Sequence, residues 1–397
     1  TLSIDRRQRQ MCIRDSMEAV QFHPTALSPS GILVTEGCRG DGGYLLDKDG
    51  YRFMVDAEPE KQELASRDVV SRHMAQRMRD GFGVETKHGP HLWLDVRHLG
   101  DEHLRTKLRE VWEICRDFVG LDPAEELVPV RPTQHYSMGG VRVNAEGEAY
   151  NMAGLFAVGE ASCWDMHGFN RLGGNSLAET IVSGRLVGRR IAQTIGKGGV
   201  EAETRYANEA LQKAEERAAE LLARQGDGPG PYAVRDAMAE VMIGKVGIFR
   251  TGEELEQAVA DLGRLLQDCD RIVLRSKAPG MNPELSFALR IKNMVRLAYI
   301  TAKGALERTE SRGAHFRSDF PLRDDASWLN RTLARWPDSA GAPELSYEPV
   351  GELDVPPGHR GYGADERIEM ELTVEDYNRQ VEEAQRAAGK LPTEGVL

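Results

Sequence analysis

Apolar residues along the chain change period several times, and each change marks an element. MEAVQFHP (17–24) reads as a short strand that ends at Pro24. GILVTEGCRGDGGYLLDKDGYRFM (31–54) alternates strand-like runs with glycine turns, and Asp49-Gly50 reads as a hairpin turn. Ser66 precedes a helical pattern with Val70, Met74 and Met78 at four-residue spacing, closed by Gly81. HLWLDVRHL predicts a strand, and LRTKLREVWEICRDFVG an amphipathic helix closed by Gly120. Further on, Glu146-Gly147 marks a turn and LFAV (155–158) a buried strand. GFNRLGGNSL is a glycine-rich loop that feeds a helix with Leu177, Ile181, Leu186, Ile191 and Ile195 on its apolar side, ended by Gly196 and Gly198-Gly199.

The second half is mostly helical. Ala207, Ala210, Leu211, Ala214, Ala218 and Leu221 form one stripe, which GDGPGPY (226–232) breaks. Thr251 and Glu254 predict a capping box for the helix bearing Leu255, Val259, Leu262 and Leu266. Asn282-Pro283 places a cap before Pro at the first helical position, opening a helix with Phe287, Ile291, Val295 and Ala298 inward. After Arg312 the chain is Pro-rich with little apolar period. No internal repeat is visible.

A length of 397 residues calls for two or three domains. The 51 basic and 63 acidic residues give a formal charge of −12, which argues against nucleic-acid binding. It does not argue against an anionic small molecule, because local arginines can dominate one pocket. The five cysteines include no CxxC pair, which disfavours a disulfide framework or structural zinc site and fits a reducing cytoplasm. No apolar run has the length of a membrane span. The first sixteen residues, with four arginines and no apolar period, read as a truncated or foreign end. GxGxxG followed by an acidic residue about twenty positions on is absent, so the dinucleotide fingerprint is missing.

Several short runs carry candidate chemistry. QFHPT holds His23. TEGCRGDGG sets Thr35, Glu36 and Arg39 among glycines, which permit close approach of a ligand. ELASRD puts Arg67 in the first turn of a helix, where the dipole disfavours a cation. RPTQHYSMGG supplies His135 and Tyr136, and HGFNRLGGNSLAE supplies Arg171 at a helix N-terminus. Two arginines and two histidines can bind a dicarboxylate through charge-assisted hydrogen bonds, with Thr35 adding a hydroxyl. The helix starting near Ser176 can aim free N–H groups at an anionic group such as a reduced flavin. Cys38 has two readings: a thiol activated by Arg39, or a small filler residue, which is preferred.

QFHPT, TEGCRGDGG, ELASRD, RPTQHYSMGG, GLFAVGEA and HGFNRLGGNSLAE resemble, in this order, the flavoprotein subunits of succinate dehydrogenase and fumarate reductase. ESRGAHFRSDFPLRDDASWLNRTL looks like the C-terminal region of the same family, so the resemblance covers residues 17–397. It implies FAD as cofactor and interconversion of succinate and fumarate. His23, Thr35, His135 and Arg171 match the dicarboxylate ligands. Arg67 matches the residue that passes a proton to or from the substrate carbon, and Glu36 and Arg39 match a relay feeding it. Glu160, Ser176 and Leu177 match flavin contacts, with Tyr136 beside them. No metal ligands are implied on this chain.

The implied fold class is α+β with α/β elements. It comprises a partial FAD-binding (Rossmann-like) domain lacking its N-terminal half (17–25 and 131–197), an α+β capping domain (26–130), a helical domain (200–312) and a C-terminal region (313–397). Residues 1–16 stay unassigned, as disordered or non-native. The implied partners are an iron–sulfur subunit and a membrane anchor with quinone, at the cytoplasmic face of a bacterial inner membrane. Two alternatives stand beside this reading. L-Aspartate oxidase shares the fold, but Cys38 and Arg131-Pro132-Thr133 favour the dicarboxylate subunit. A chain without the Rossmann half can also be a fragment with no turnover of its own.

Overall fold

In the computed structural model the described residues are 13–196, 204–278, 280–337 and 341–350, with residues 379, 382, 383 and 386. The expected stop at Gly198-Gly199 and most of the region after 350 lie outside them. The strands are β1 (Arg14–Asp15), β2 (Val20–Leu27), β3 (Ile32–Leu33), β4 (Tyr44–Leu46), β5 (Leu92–Asp95), β6 (Val128–Ser137), β7 (Gly140–Arg142), β8 (Ser162–Cys163), β9 (Asn330–Arg335) and β10 (Glu344–Pro349). They form two five-stranded sheets, ordered β3-β2-β6-β5-β4 and β10-β9-β1-β7-β8. The first is antiparallel throughout; in the second, β7 and β8 run parallel.

The helices are α1 (Gly37–Gly40), α2 (Met54–Ala57), α3 (Arg67–Arg77), α4 (Asp101–Thr106), α5 (Arg109–Val119), α6 (Asn175–Gly196), α7 (Thr204–Ala223), α8 (Pro231–Lys245), α9 (Gly252–Asp270), α10 (Pro283–Glu307) and α11 (Asp325–Trp328). One core joins the first sheet to α3 and α5 through Leu45, Val70, Met74, Leu92, Leu94, Val111 and Val130. A second is built by α8, α9 and α10 around Leu255, Leu262, Ile291 and Val295. Burial of such side chains contributes roughly 1.5–3 kcal/mol each.

Several expected elements form for the expected reasons. Val70 and Met74 of α3 are fully buried, and Gly81 turns the chain at φ +82°. Gly120 closes α5 in the left-handed region. Thr251 and Asn282 accept the N–H groups of Glu254 and Leu285 at the starts of α9 and α10.

Other expectations are corrected. The first strand does not stop at Pro24 but continues to Leu27, and the register slips between His23 and Ala26, where proline has no N–H to pair. Asp49-Gly50 makes a turn but no hairpin, because the chain leads into α2 and β4 pairs with β5 instead. The helix after Leu104 is two helices, broken at Lys107-Leu108. LFAV is not a buried strand; Leu155 is exposed and only Phe156 makes an isolated bridge. Arg14 and Asp15, expected to lie in an unstructured end, form β1. The region after Arg312 contains β9 and β10, and the apolar side of α6 is largely solvent-facing.

Candidate active site

The bulge in β2 turns His23 toward β6, where its ring meets the edge of His135 with centroids 5.2 Å apart. Nδ1 of His23 accepts the Thr25 N–H at 3.2 Å, which leaves the proton on Nε2. That Nε2 is buried and has no partner among the described residues. Burial, with Arg67, Arg39 and His135 nearby, pushes the His23 pKa down to about 2. His135 is pushed down to about 4 by burial, Arg67 and Arg171. Both rings are therefore neutral at pH 7.

Arg171 reaches His135 from the loop before α6. Its Nη2 lies 2.9 Å from Nε2 of His135, and an arginine can only donate, so His135 carries its proton on Nδ1. Nη1 of Arg171 donates to the carbonyl of Leu172, and the guanidinium lies over the Tyr136 ring at 4.5 Å. Its Nε is buried without a partner among the described residues.

Arg67 opens α3. Its Nε and Nη2 both reach Oε2 of Glu36, at 2.7 and 2.6 Å. Glu36 sits just before α1, so TEGCRG is a helical turn here rather than part of a strand-and-turn run. Gly173 packs against this ion pair: a Cβ there would lie 3.4 Å from both Arg67 and Glu36. That is an ordinary van der Waals distance, so the Arg171 loop lies against α1 and α3 without requiring glycine there.

Arg39 is 2% exposed and donates through Nη1 to the carbonyl of Glu63. Its Nε and Nη2 are buried without partners among the described residues, and burial holds its pKa below the usual arginine range. Three arginines thus surround two neutral histidines, with Glu36 in ion pair with one of them. Such a site has a surplus of positive charge and unpaired N–H donors, which suits a dianion. Thr35 is exposed beside Glu36, and its hydroxyl accepts the Gly37 N–H.

The remaining candidates divide. Tyr136 is 2% exposed and its hydroxyl donates to Glu179 of α6 at 3.0 Å. Glu160 accepts the Ser137 N–H. Ser176 and Leu177 begin α6 beside Gly173 and Gly174, with Leu172 and Leu177 71% and 68% exposed. This surface combines helix-start amides with bare apolar side chains, which fits a flat ring that is partly apolar and can become anionic. Cys38 belongs to the core, and burial pushes its thiol up to about 12, so it is filler and not an activated nucleophile.

Sequence reasoning missed Gln21, Asp68, Asn170 and Glu179. Glu179 accepts from Tyr136, Trp164 and His167 together. All four lie inside or next to the motifs that carried the resemblance, but their role is visible only as contacts. Cavities of about 530 and 510 Å3 lie outside the cluster, one between α7 and α10 and one behind residues 162–170. Asp15, Cys163 and Asp165 group their donor atoms, but Arg142 pairs with both carboxylates.

Residues 2–177 match the FAD binding domain family, and residues 235–362 match the fumarate reductase flavoprotein C-terminal family. Fold and site therefore define a class of flavoproteins with an FAD binding domain. The chain is 46% identical over 378 residues to the fumarate reductase flavoprotein subunit of Helicobacter pylori, covering 88% of this chain and 53% of that protein. E. coli quinol fumarate reductase FrdA superposes with a TM-score of 0.82 at 36% identity, over 89% of this chain and 62% of that one. Mycobacterium smegmatis Sdh1, solved in complex with UQ1, gives 0.70 at 32%, over 86% and 56%. The chain belongs to the succinate dehydrogenase and fumarate reductase flavoprotein family. It spans between half and two thirds of the lengths of these relatives.

Proposed function

We propose that this chain carries the dicarboxylate site of an FAD-dependent enzyme that interconverts succinate and fumarate. The observation that carries this reading is the meeting of Arg67, Arg171, His23 and His135, with donors on His23 and Arg171 that have no partner among the described residues. Arg171 and the two neutral histidines hold the carboxylates, and Thr35 adds a hydroxyl. Arg67 gives or takes a proton at the substrate carbon. A guanidinium is a poor acid, so the step needs a proton donor that replaces its proton as it leaves. Glu36, in direct contact with Arg67, is placed for that, with Arg39 behind it.

FAD fits against Ser176, Leu177 and Glu160, with Tyr136 nearby, and when bound it supplies the two-electron redox chemistry. Residues 26–130 act as a cap over residues 17–25 and 131–197, excluding water from the cleft, while 200–312 form the helical domain and 313–397 the C-terminal region. An iron–sulfur subunit and a membrane anchor with quinone are the partners, at the cytoplasmic face of a bacterial inner membrane. Support comes from relatives that include a quinol fumarate reductase. No helix among the described residues is long and apolar enough to cross a membrane.

The test is Arg67→Lys in the FAD-loaded protein. Turnover with fumarate or succinate should fall by ~100-fold or more, with dicarboxylate affinity within about tenfold of the parent. Near-normal turnover removes Arg67 from the chemistry.

A further inference from the structure

One buried amide touches both arginines of the cleft. Gln21, in β2, is fully buried. Its Oε1 accepts from Nη1 of Arg67 at 3.3 Å, and its Nε2 donates to the backbone carbonyl of Arg171 at 2.6 Å and to Oδ1 of Asn170 at 2.8 Å. Asn170 in turn donates through Nδ2 to Oδ1 of Asp68 at 3.0 Å. Asp68 follows Arg67 on α3, and its other oxygen pairs with Arg72 at 3.1 Å. The ring closes through the helix backbone: Arg67, Gln21, Asn170, Asp68.

Chemistry fixes every orientation in this ring. A backbone carbonyl can only accept, so the atom of Gln21 beside Arg171 is its NH2 group. Its oxygen must then face Arg67, which can only donate. Asn170 likewise presents oxygen to Gln21 and nitrogen to a carboxylate. A flip of either amide sets donor against donor or acceptor against acceptor. Inside a largely buried network, such an arrangement resists displacement.

We propose that Asn170 and Asp68 form a clasp across the cleft, working through Gln21, that sets the distance between Arg67 and Arg171. They are positioning residues, not groups that touch substrate. Asp68 rides on the same turn of α3 as Arg67, and Asn170 adjoins Arg171 in the loop. A change in the Asn170–Asp68 contact therefore moves one arginine against the other. This inference rests on the functional reading above for what the two arginines do, while the clasp is a matter of geometry.

The decisive variant is Asn170→Asp, which sets a second carboxylate against Asp68. The groups facing that position are Asp68, Arg67 and Arg72 on α3, Arg171 in the loop and uncharged Gln21 on β2, while Asp165, His167, Glu179, Arg312, Arg323 and Arg331 line the adjoining cavity. Two carboxylates at hydrogen-bond distance cannot both ionise cheaply. In the FAD-loaded protein at pH 7.5, turnover should drop ~100-fold, the cost of about 1 Å of misplacement. It should recover as pH falls toward 6 and the pair shares one proton. Adding Asp68→Asn to Asn170→Asp restores one donor and one acceptor with reversed polarity, and should return most of the lost activity.

Amide hydrogen exchange supplies a readout that needs no turnover. Asn170→Ala should raise exchange in residues 67–72 and 170–173 together. A pH-independent loss in Asn170→Asp, no rescue by the double variant, or exchange confined to 170–173 would each overturn the clasp. If the parent protein fails to turn over dicarboxylates at all, the functional reading falls, and the exchange result still decides the clasp.

Discussion

His23 shows how an environment sets one residue's chemistry. The unfolded chain protonates histidine near pH 6.5. In the fold, His23 is held to about 2 and His135 to about 4, so the folded state refuses protons that the unfolded state accepts. The stability that comes from keeping them neutral is full above pH 6.5. It is lost as pH falls, through about 4 for His135 and on toward 2 for His23. For the buried His23 the slope approaches about 1.4 kcal/mol per pH unit. Urea unfolding at pH 7.5, 6.0 and 5.0 should show the parent losing stability faster than His23→Gln as pH drops; parallel curves would refute this account. The residues that meet the proposed substrate were legible from their motifs, because each motif has a recognisable residue order. Gln21, Asp68 and Asn170 sit in the same motifs and were passed over. Their partners lie 149 and 102 positions away, and spacing along the chain carries no record of such contacts. Arg39 shows the same limit: its burial against the Glu63 carbonyl follows from tertiary packing alone.

Helices were read best where apolar period and a cap agreed. At α10, Asn282 accepts the Leu285 N–H at 3.0 Å and donates to the Ser276 carbonyl at 3.0 Å, with Pro283 following. At α9, Thr251 accepts the Glu254 N–H at 3.3 Å, while its hydroxyl donates to the Glu254 carboxylate. Removing either side chain strands a helix-start donor. Asn282→Ala should cost nearer 2 kcal/mol and Thr251→Ala nearer 1 kcal/mol, within the usual range of about 0.5–2 for lost caps. Urea midpoints at constant slope measure both, and equal losses would contradict a ranking that rests on the shorter cap bond and deeper burial of Asn282. Strands were read worst where their buried positions are not apolar. In β9 the alternation is regular, but the inward residues are Asn330, Thr332 and Ala334. A search for alternating hydrophobics cannot find it, because what those positions bury is a hydrogen-bonding surface. In α6 the reverse holds: the apolar residues are there, yet Leu177, Ile181 and Leu186 are more than half exposed. Periodicity reports that a helix has an apolar face, not what covers it.

That polar inner face of β9 belongs to a charge network joining the regions matched by the two families. Arg308, fully buried at the end of α10, donates from Nε to Glu18 at 2.9 Å and from Nη1 to Glu310 and the Trp328 carbonyl, both at 2.9 Å. Its Nη2 donates to the Asn330 carbonyl at 2.7 Å and to Thr332 at 3.0 Å. All five of its N–H groups are used, a geometry lysine cannot reproduce. Glu18 lies just ahead of β2 in the FAD-domain match, whereas Arg308, Glu310 and Thr332 lie in the C-terminal match. Arg308 also lies 4.6 Å from the Phe169 ring, and the Phe169 carbonyl accepts the Ala314 N–H, so the network backs the loop that carries Asn170 and Arg171. Replacing Arg308 takes the ion-pair partner from buried Glu18, while Glu310 keeps Arg312, and breaking a buried pair in this way costs about 3–5 kcal/mol. Arg308→Met should therefore lower stability by about that amount. Arg308→Lys should recover part of the loss, since it keeps the charge but not the fork. Because the network spans both matched regions, the parent should unfold in one transition by calorimetry, and Arg308→Met should move that whole transition. Two independent transitions in the parent, with only the later region shifted in the variant, would mean that the regions stand separately. The Arg171 loop would then rest on its contacts with Gln21 and Asp68 rather than on the Arg308 network.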